Sequence, residues 1–155
     1  MLDTLEDWGE KATFFFTEEA IKKNPKSVLR AFTENHGIGI LSSYENIDKT
    51  NRALFETVGF CSRLLRLKGE ANSLSERGYI IWGYTKESVL PDANTWTTAR
   101  DIYNSTFINN ITVLRLNCEE YNVKVLTYIL SLISDDIYIK ASIIDPTTPE
   151  IQGGH

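Results

Sequence analysis

A chain of 155 residues, 42% of them hydrophobic and 24% charged, is long enough for one domain and too ordinary in composition to be disordered throughout. Twenty-one acidic residues against sixteen basic ones leave a net charge of −5, which argues against nucleic acid as a partner. No stretch approaches the roughly 18 uncharged apolar residues of a membrane span, which argues against a membrane role.

The first residues, Met1-Leu2-Asp3-Thr4-Leu5-Glu6-Asp7-Trp8, are acidic and lack the basic flank and apolar run of a secretory signal, so cytoplasmic residence is expected. Phe14-Phe15-Phe16 reads as a short buried strand or a turn packed on the core, and Thr17-Glu18-Glu19 as a capping sequence that opens a helical turn. Asn24 and Pro25 suit the start of a helix that presents Val28, Leu29 and Phe32 on one face until Gly37 stops it. Ile38, Ile40 and Leu41 then form a short strand in which Gly39 lets another backbone approach. A second helix is expected from Asn46 through Leu54, Val58, Cys61 and Leu65, released at Gly69.

Residues 70 to 105 read as loop, with Gly78, Gly83 and Pro91 among them. The segment is rich in aromatics, Tyr79, Trp82, Tyr84 and Trp96, which either line a pocket or fasten the loop to its own domain. From 109 to 134 a long amphipathic helix is expected, since Ile111, Leu114, Cys118, Tyr121, Val125, Tyr128 and Leu132 recur at alternating steps of three and four. Its stripe is widened by Val113, Leu116, Leu126, Ile129, Leu130 and Ile133, too broad for a two-stranded coiled coil, so it should lie against a sheet or several helices. Ile137, Ile139, Ala141 and Ile143 alternate as in a strand, with a short helix as the alternative. Pro146 and Pro149 forbid regular structure beyond. The expected architecture is α+β and mostly helical, a single domain over 1–145 with a flexible tail at 146–155.

Chemical motifs are sparse. Cys61 and Cys118 have no CxxC spacing and read as reduced, buried thiols. Gly37-x-Gly39 is not a dinucleotide fingerprint, and Ser42, Ser43 and Ser73 lack a nucleophile elbow. The adjacent pairs Glu18-Glu19, Glu119-Glu120 and Asp135-Asp136 would point apart on a helix and serve capping and solvation.

Taken together, Ala31 with Glu34-Asn35-His36-Gly37-Ile38-Gly39-Ile40, the following helix with Phe55 and Leu64 to Leu67, Gly78-Tyr79 with Gly83-Tyr84, and Cys118-Glu119-Glu120-Tyr121 leading to Leu126, Leu130 and Ile133 resemble the N-terminal region of the iron(II)/2-oxoglutarate-dependent dioxygenases of the isopenicillin N synthase type, over residues 14 to 140. The resemblance implies a helix and strand flanking a double-stranded β-helix core, a long helix behind it, and Tyr79, Trp82 and Tyr84 as candidate residues of a substrate loop. It also implies iron(II) and 2-oxoglutarate as the family's cofactors. The chain departs from the family in lacking the Pro-x-Ile-Asp opening, the barrel after residue 140, and the His-x-Asp and distal His that hold iron. Its histidines are His36, expected to be structural at a helix terminus, and His155. None of Arg30, Arg52, Arg63, Arg66, Arg77, Arg100 or Arg115 has serine two positions later.

These departures predict a truncated or degenerate relative of the oxygenases, a pseudoenzyme without a complete barrel or autonomous catalysis, with no catalytic, cofactor-binding or metal residues. The alternative is a non-catalytic interaction module that uses the apolar face of the helix at 109–134 for self-association or a protein partner. A third reading is a small enzyme with Tyr79, Tyr84 or Glu76 in a pocket under the aromatic loop.

Overall fold

The structure is a computed structural model that describes residues 1–68, 78–88, 94–108 and 111–144. The expected tail at 146–155, Glu76, Ser73, Gly69, Pro91 and His155 lie outside the described residues. Two compact units are formed, one from Lys11–Gly83 with residues 142 to 144, the other from Met1–Glu10 and Tyr84–Ala141.

The first unit is built on four parallel strands in the order β1 (Thr13–Phe16), β2 (Gly37–Ser42), β3 (Leu64–Leu67) and β4 (Ile80–Ile81). β1 is the strand expected at residues 14 to 16, and its rings at Phe14 and Phe16 stack at 6.0 Å. Thr17 follows as the cap of α2 (Glu18–Lys23), its hydroxyl accepting from Ala20 N at 3.1 Å. Pro25 opens α3 (Pro25–Thr33), after which Asn35 turns the chain with φ 61° into β2. On α3, Val28 and Ala31 are the buried residues, while Leu29 and Phe32 remain exposed. Of the expected apolar face, Val28, Leu29 and Phe32, only Val28 is therefore inward.

The second expected helix is divided in the structure. A 3-10 turn, Tyr44–Asn46, leads into α4 (Ile47–Val58), and Gly59 ends it in the left-handed region at φ 82°. Leu64 and Leu65, read as helical, instead form β3. Successive parallel strands joined by right-handed crossovers place the connecting helices on one face of the sheet. That face holds Ile38, Ile40, Ser42 and Leu65, and with Ile21, Val28, Ile47 and Leu54 they form the core of this unit. Each fully buried aliphatic side chain contributes about 1.5–3 kcal/mol of transfer free energy.

In the second unit, β5 (Lys86–Glu87) pairs in parallel with β6 (Leu114–Arg115). Around them are α1 (Leu2–Trp8), α5 (Thr95–Thr106) and α6 (Glu120–Ser134). α5 falls where loop was expected. The helix expected over 109–134 is shorter: Leu114 belongs to β6, and Cys118 precedes the first turn. Part of the remaining stripe packs on a helix, with Val125 and Ile129 buried against Ala99 and Ile102 of α5, while Tyr128 stays exposed. The Thr98 hydroxyl bonds that of Tyr121 at 2.9 Å, and Tyr103 OH donates to Asp136 Oδ2 at 2.8 Å. These links join start to start and end to end, so α5 and α6 run parallel. No strand forms at 137–143 among the described residues.

Parallel strands with helical crossovers define an α/β architecture rather than α+β. Among the described residues the strands make two short sheets and no closed barrel. No described helix is long and apolar enough to cross a membrane. Replacing Asn94, whose Oδ1 accepts from Trp96 N at 3.0 Å and Thr97 N at 3.2 Å, by alanine is expected to cost about 1 kcal/mol, read as a lowered midpoint in urea unfolding.

Candidate functional site

In open parallel sheets, ligands bind outside the carboxyl ends of the strands, where loops diverge and backbone groups lack ladder partners. In the first unit that edge carries Thr17 after β1, Ser43, Tyr44 and Glu45 after β2, Lys68 after β3 and Trp82 after β4. Lys68 N donates to Ser42 O at 2.8 Å, and Trp82 N to Leu65 O at 3.0 Å, which extends the ladder to its last residues.

Beneath the edge a hydroxyl network fixes the turn between β2 and α4. Ser42 Oγ lies 3.1 Å from Thr50 Oγ1, and Thr50 donates to Asn46 O at 3.0 Å. Asn46 Nδ2 donates to Ser43 Oγ at 3.0 Å. The Glu45 backbone N–H and then the Ser43 hydroxyl hold the Glu45 carboxyl below its ordinary pKa, so it is ionised at neutral pH. Glu45 and Tyr44 are exposed on this turn. Trp82 is only 3% exposed, and its indole Nε1 has no hydrogen-bond partner. A buried donor in that state is worth about 1–3 kcal/mol to any acceptor that reaches it.

The aromatic loop residues singled out from the sequence have separate roles. Tyr79 stands before β4, where its hydroxyl accepts from Asn51 Nδ2 at 3.2 Å. Trp82 lies at the carboxyl edge of the first unit. Tyr84 belongs to the second unit, with the Arg115 guanidinium 5.2 Å from its ring centre, and Arg115 also pairs with Glu87 at 3.0 Å. Sequence reading missed Ser43 and Glu45 as edge residues, and no local motif marks them, since Ser43-Tyr44-Glu45 lacks the Ser-x-x-Glu spacing of a capping box.

His36 sits at the opposite, amino end of the sheet, where its Nδ1 accepts from Ala12 N at 3.2 Å. Cys61 and Cys118 are free thiols, but they are exposed where burial was expected. Cys61 follows Gly59, beyond the end of α4, and Cys118 precedes α6, so neither sits on a buried helical face. Among the described residues no three His, Cys, Asp or Glu side chains come together in a way that could hold a metal ion.

No protein-family model and no curated protein sequence matches this chain. Solved structures do. The chain is similar to the catalytic domain of peptidoglycan N-acetylglucosamine deacetylase from Eubacterium rectale, at a TM-score of 0.77 and 18% identity, covering 95% of this chain and 81% of that one. Peptidoglycan deacetylase PdaC from Bacillus subtilis matches at 0.76 and 18% identity, over 86% of this chain and 74% of the other. A family 4 carbohydrate esterase from Streptomyces lividans, in complex with acetate, matches at 0.72 and 17% identity, over 86% and 79%.

At these identities the likeness shows the fold alone, which resembles that of the polysaccharide and peptidoglycan deacetylase catalytic domains. It overturns the dioxygenase resemblance, and with it the oxygenase-derived pseudoenzyme and the family's iron(II) and 2-oxoglutarate. The interaction module fits no better, because Val125 and Ile129 of its supposed free face are covered by α5. The misleading signal was the order helix, strand, helix, which any chain of parallel βαβ units supplies.

Proposed function

We propose that this chain is a hydrolase-class relative of the polysaccharide deacetylases whose ligand is an N-acetylated polysaccharide, held at the carboxyl edge of β1–β4. The observation that supports this reading is the likeness to a peptidoglycan deacetylase catalytic domain over 95% of the chain. The edge offers groups such a ligand needs, the exposed Tyr44 ring for a sugar face and Ser43 for ring hydroxyls, and the buried, unpartnered Trp82 N–H would meet an acetamide carbonyl once the edge opens to admit one.

Hydrolysis of the acetamide requires a base to take a proton from water as the C–N bond yields acetate and a free amine. Glu45 is the edge carboxylate proposed for that role. Its depressed pKa makes it a weak base, so turnover should be slow. The test is acetate release from N-acetylglucosamine oligomers and purified peptidoglycan, with and without added divalent metal, alongside calorimetric binding of the same oligomers. The expected result is binding that Trp82→Phe weakens, and acetate release that Glu45→Gln lowers at least tenfold. Binding without acetate release removes the hydrolytic half of the reading; absence of both overturns it.

Cytoplasmic residence remains a proposal; it would confine the ligand to soluble glycan fragments, and cell fractionation tests it. Self-association is proposed to use what α5 leaves uncovered on α6, chiefly Tyr128 beside Trp96, with rings 5.3 Å apart.

A further inference from the structure

The imidazole of His36 is fully buried, and the function proposed above does not use it. Its surroundings are specific. Nδ1 accepts from Ala12 N at 3.2 Å, while the next residue, Gly37, donates its N–H to Ala12 O at 3.0 Å. His36 and Gly37 therefore clasp both polar groups of Ala12, the residue that leads into β1. The ring stands edge-on to Phe14 of β1, with centres 5.3 Å apart and planes at 83°. Asn35, in the left-handed conformation, turns the chain between the end of α3 and His36.

An Nδ1 that accepts a hydrogen bond carries no proton, so the clasp requires neutral imidazole with its proton on Nε2. The charged groups around it pull in both directions. Lys11, beside Ala12, and Arg30 of α3 oppose a second proton, whereas Glu34, whose Oε2 lies 3.4 Å from Nε2, favours one. Glu34 also answers to Arg30, which it pairs through Nε.

We propose that His36 is an acid-sensitive latch on the amino end of the sheet, whose protonation releases Ala12 and the entry to β1. A proton added at Nδ1 sets an N–H against the Ala12 N–H, so the bond is lost and a buried donor is left without an acceptor. The new charge can be met by Glu34 on the Nε2 side, which keeps the opening local rather than global.

The sign follows from where the proton binds. Burial first, then Lys11, hold the His36 pKa below its ordinary 6.5, against the pull of Glu34. The neutral, clasped form is fully favoured above about pH 6.5. As pH falls below that value the unfolded or opened segment takes up a proton that the clasped state resists, and the clasp weakens.

The experiment is amide hydrogen exchange at Ala12, expressed as a protection factor at pH 7.5 and pH 5.0, in the full chain and in His36→Asn. The Asn side-chain oxygen can accept from the same N–H and does not titrate. The expected result is a loss of at least tenfold in Ala12 protection at pH 5.0 in the natural chain and little change in the variant. Equal behaviour of the two chains, or full protection at pH 5.0 in the natural chain, overturns the latch. Nitrogen shifts of the His36 ring in the natural chain provide a second reading independent of the variant. Protonation of the ring must track the loss of Ala12 protection, and a ring that titrates while Ala12 stays protected, or never titrates in this range, overturns the proposal as well.

Discussion

Asn51→Ala is expected to destabilise the first unit by about 3 kcal/mol, more than any other single polar truncation in it. Asn51 is 6% exposed on α4, and its amide replaces a missing strand neighbour. Oδ1 accepts from Ser62 N at 2.9 Å, and Nδ2 donates to Ser62 O at 3.1 Å and to Tyr79 OH at 3.2 Å. One side chain thereby joins α4 to the approaches of both β3 and β4. Truncation leaves the two main-chain groups of a buried residue without partners, at about 1–3 kcal/mol each before relaxation. Asn51→Asp should not rescue, since it keeps the acceptor but loses both donations and buries a charge. Urea denaturation checks this, with a midpoint lowered by about 1–2 M for a slope of about 2 kcal/mol/M. Tyr79→Phe, which leaves both bonds between Asn51 and Ser62 in place, is expected to cost about 1 kcal/mol. If Asn51→Ala costs no more than Tyr79→Phe, the amide is not the tie described.

Gly39→Val is expected to cost about 3 kcal/mol, through crowding rather than backbone strain. A Cβ at Gly39 would stand 2.5 Å from two carbons of the Phe15 ring and 3.2 Å from Leu64 O. Phe15 and Gly39 are direct partners in the parallel pairing of β1 with β2, so the ring lies over the glycine because nothing else occupies that place. The ring can swing, but the Leu64 carbonyl belongs to the neighbouring strand and cannot. Vacating the ring in Phe15→Ala/Gly39→Val should return part of the loss, which makes the two changes non-additive. Thermal unfolding of the four chains of that cycle measures the coupling. Strictly additive costs would show that the ring and the glycine do not meet.

The elements that could be read from residues alone are those whose signals are local. Thr17, Asn24-Pro25 and the break at Gly37 mark α2, α3 and β2 by capping and turn chemistry. Those elements stand where they were expected. α4 and β3 were fused because Leu54, Val58, Cys61 and Leu65 keep a helical spacing straight through Gly59. A strand buried on both faces, such as Leu64-Leu65, has no alternation to announce it.

α5 went unread for the opposite reason. Thr95, Thr97, Thr98 and Thr106 are weak helix formers, and packing of Ala99 and Ile102 on α6 outweighs their preference. β6 was absorbed into the long helix because Ile111 and Leu114 happen to continue its period. The carboxyl edge was hidden more deeply. Thr17, Ser43, Glu45, Lys68 and Trp82 share an edge only once four strands are known to run the same way, and nothing in the spacing of those residues records it.

The parallel course of α5 and α6 has an electrical consequence. Aligned peptide dipoles place two partial positive ends side by side, each equivalent to roughly half an elementary charge. Antiparallel neighbours would cancel; these add. Glu119 and Glu120, at the cap and first turn of α6, supply the opposing sign where it is wanted. That acidic pair acts as a local counter-field to a mutual repulsion that the topology imposes.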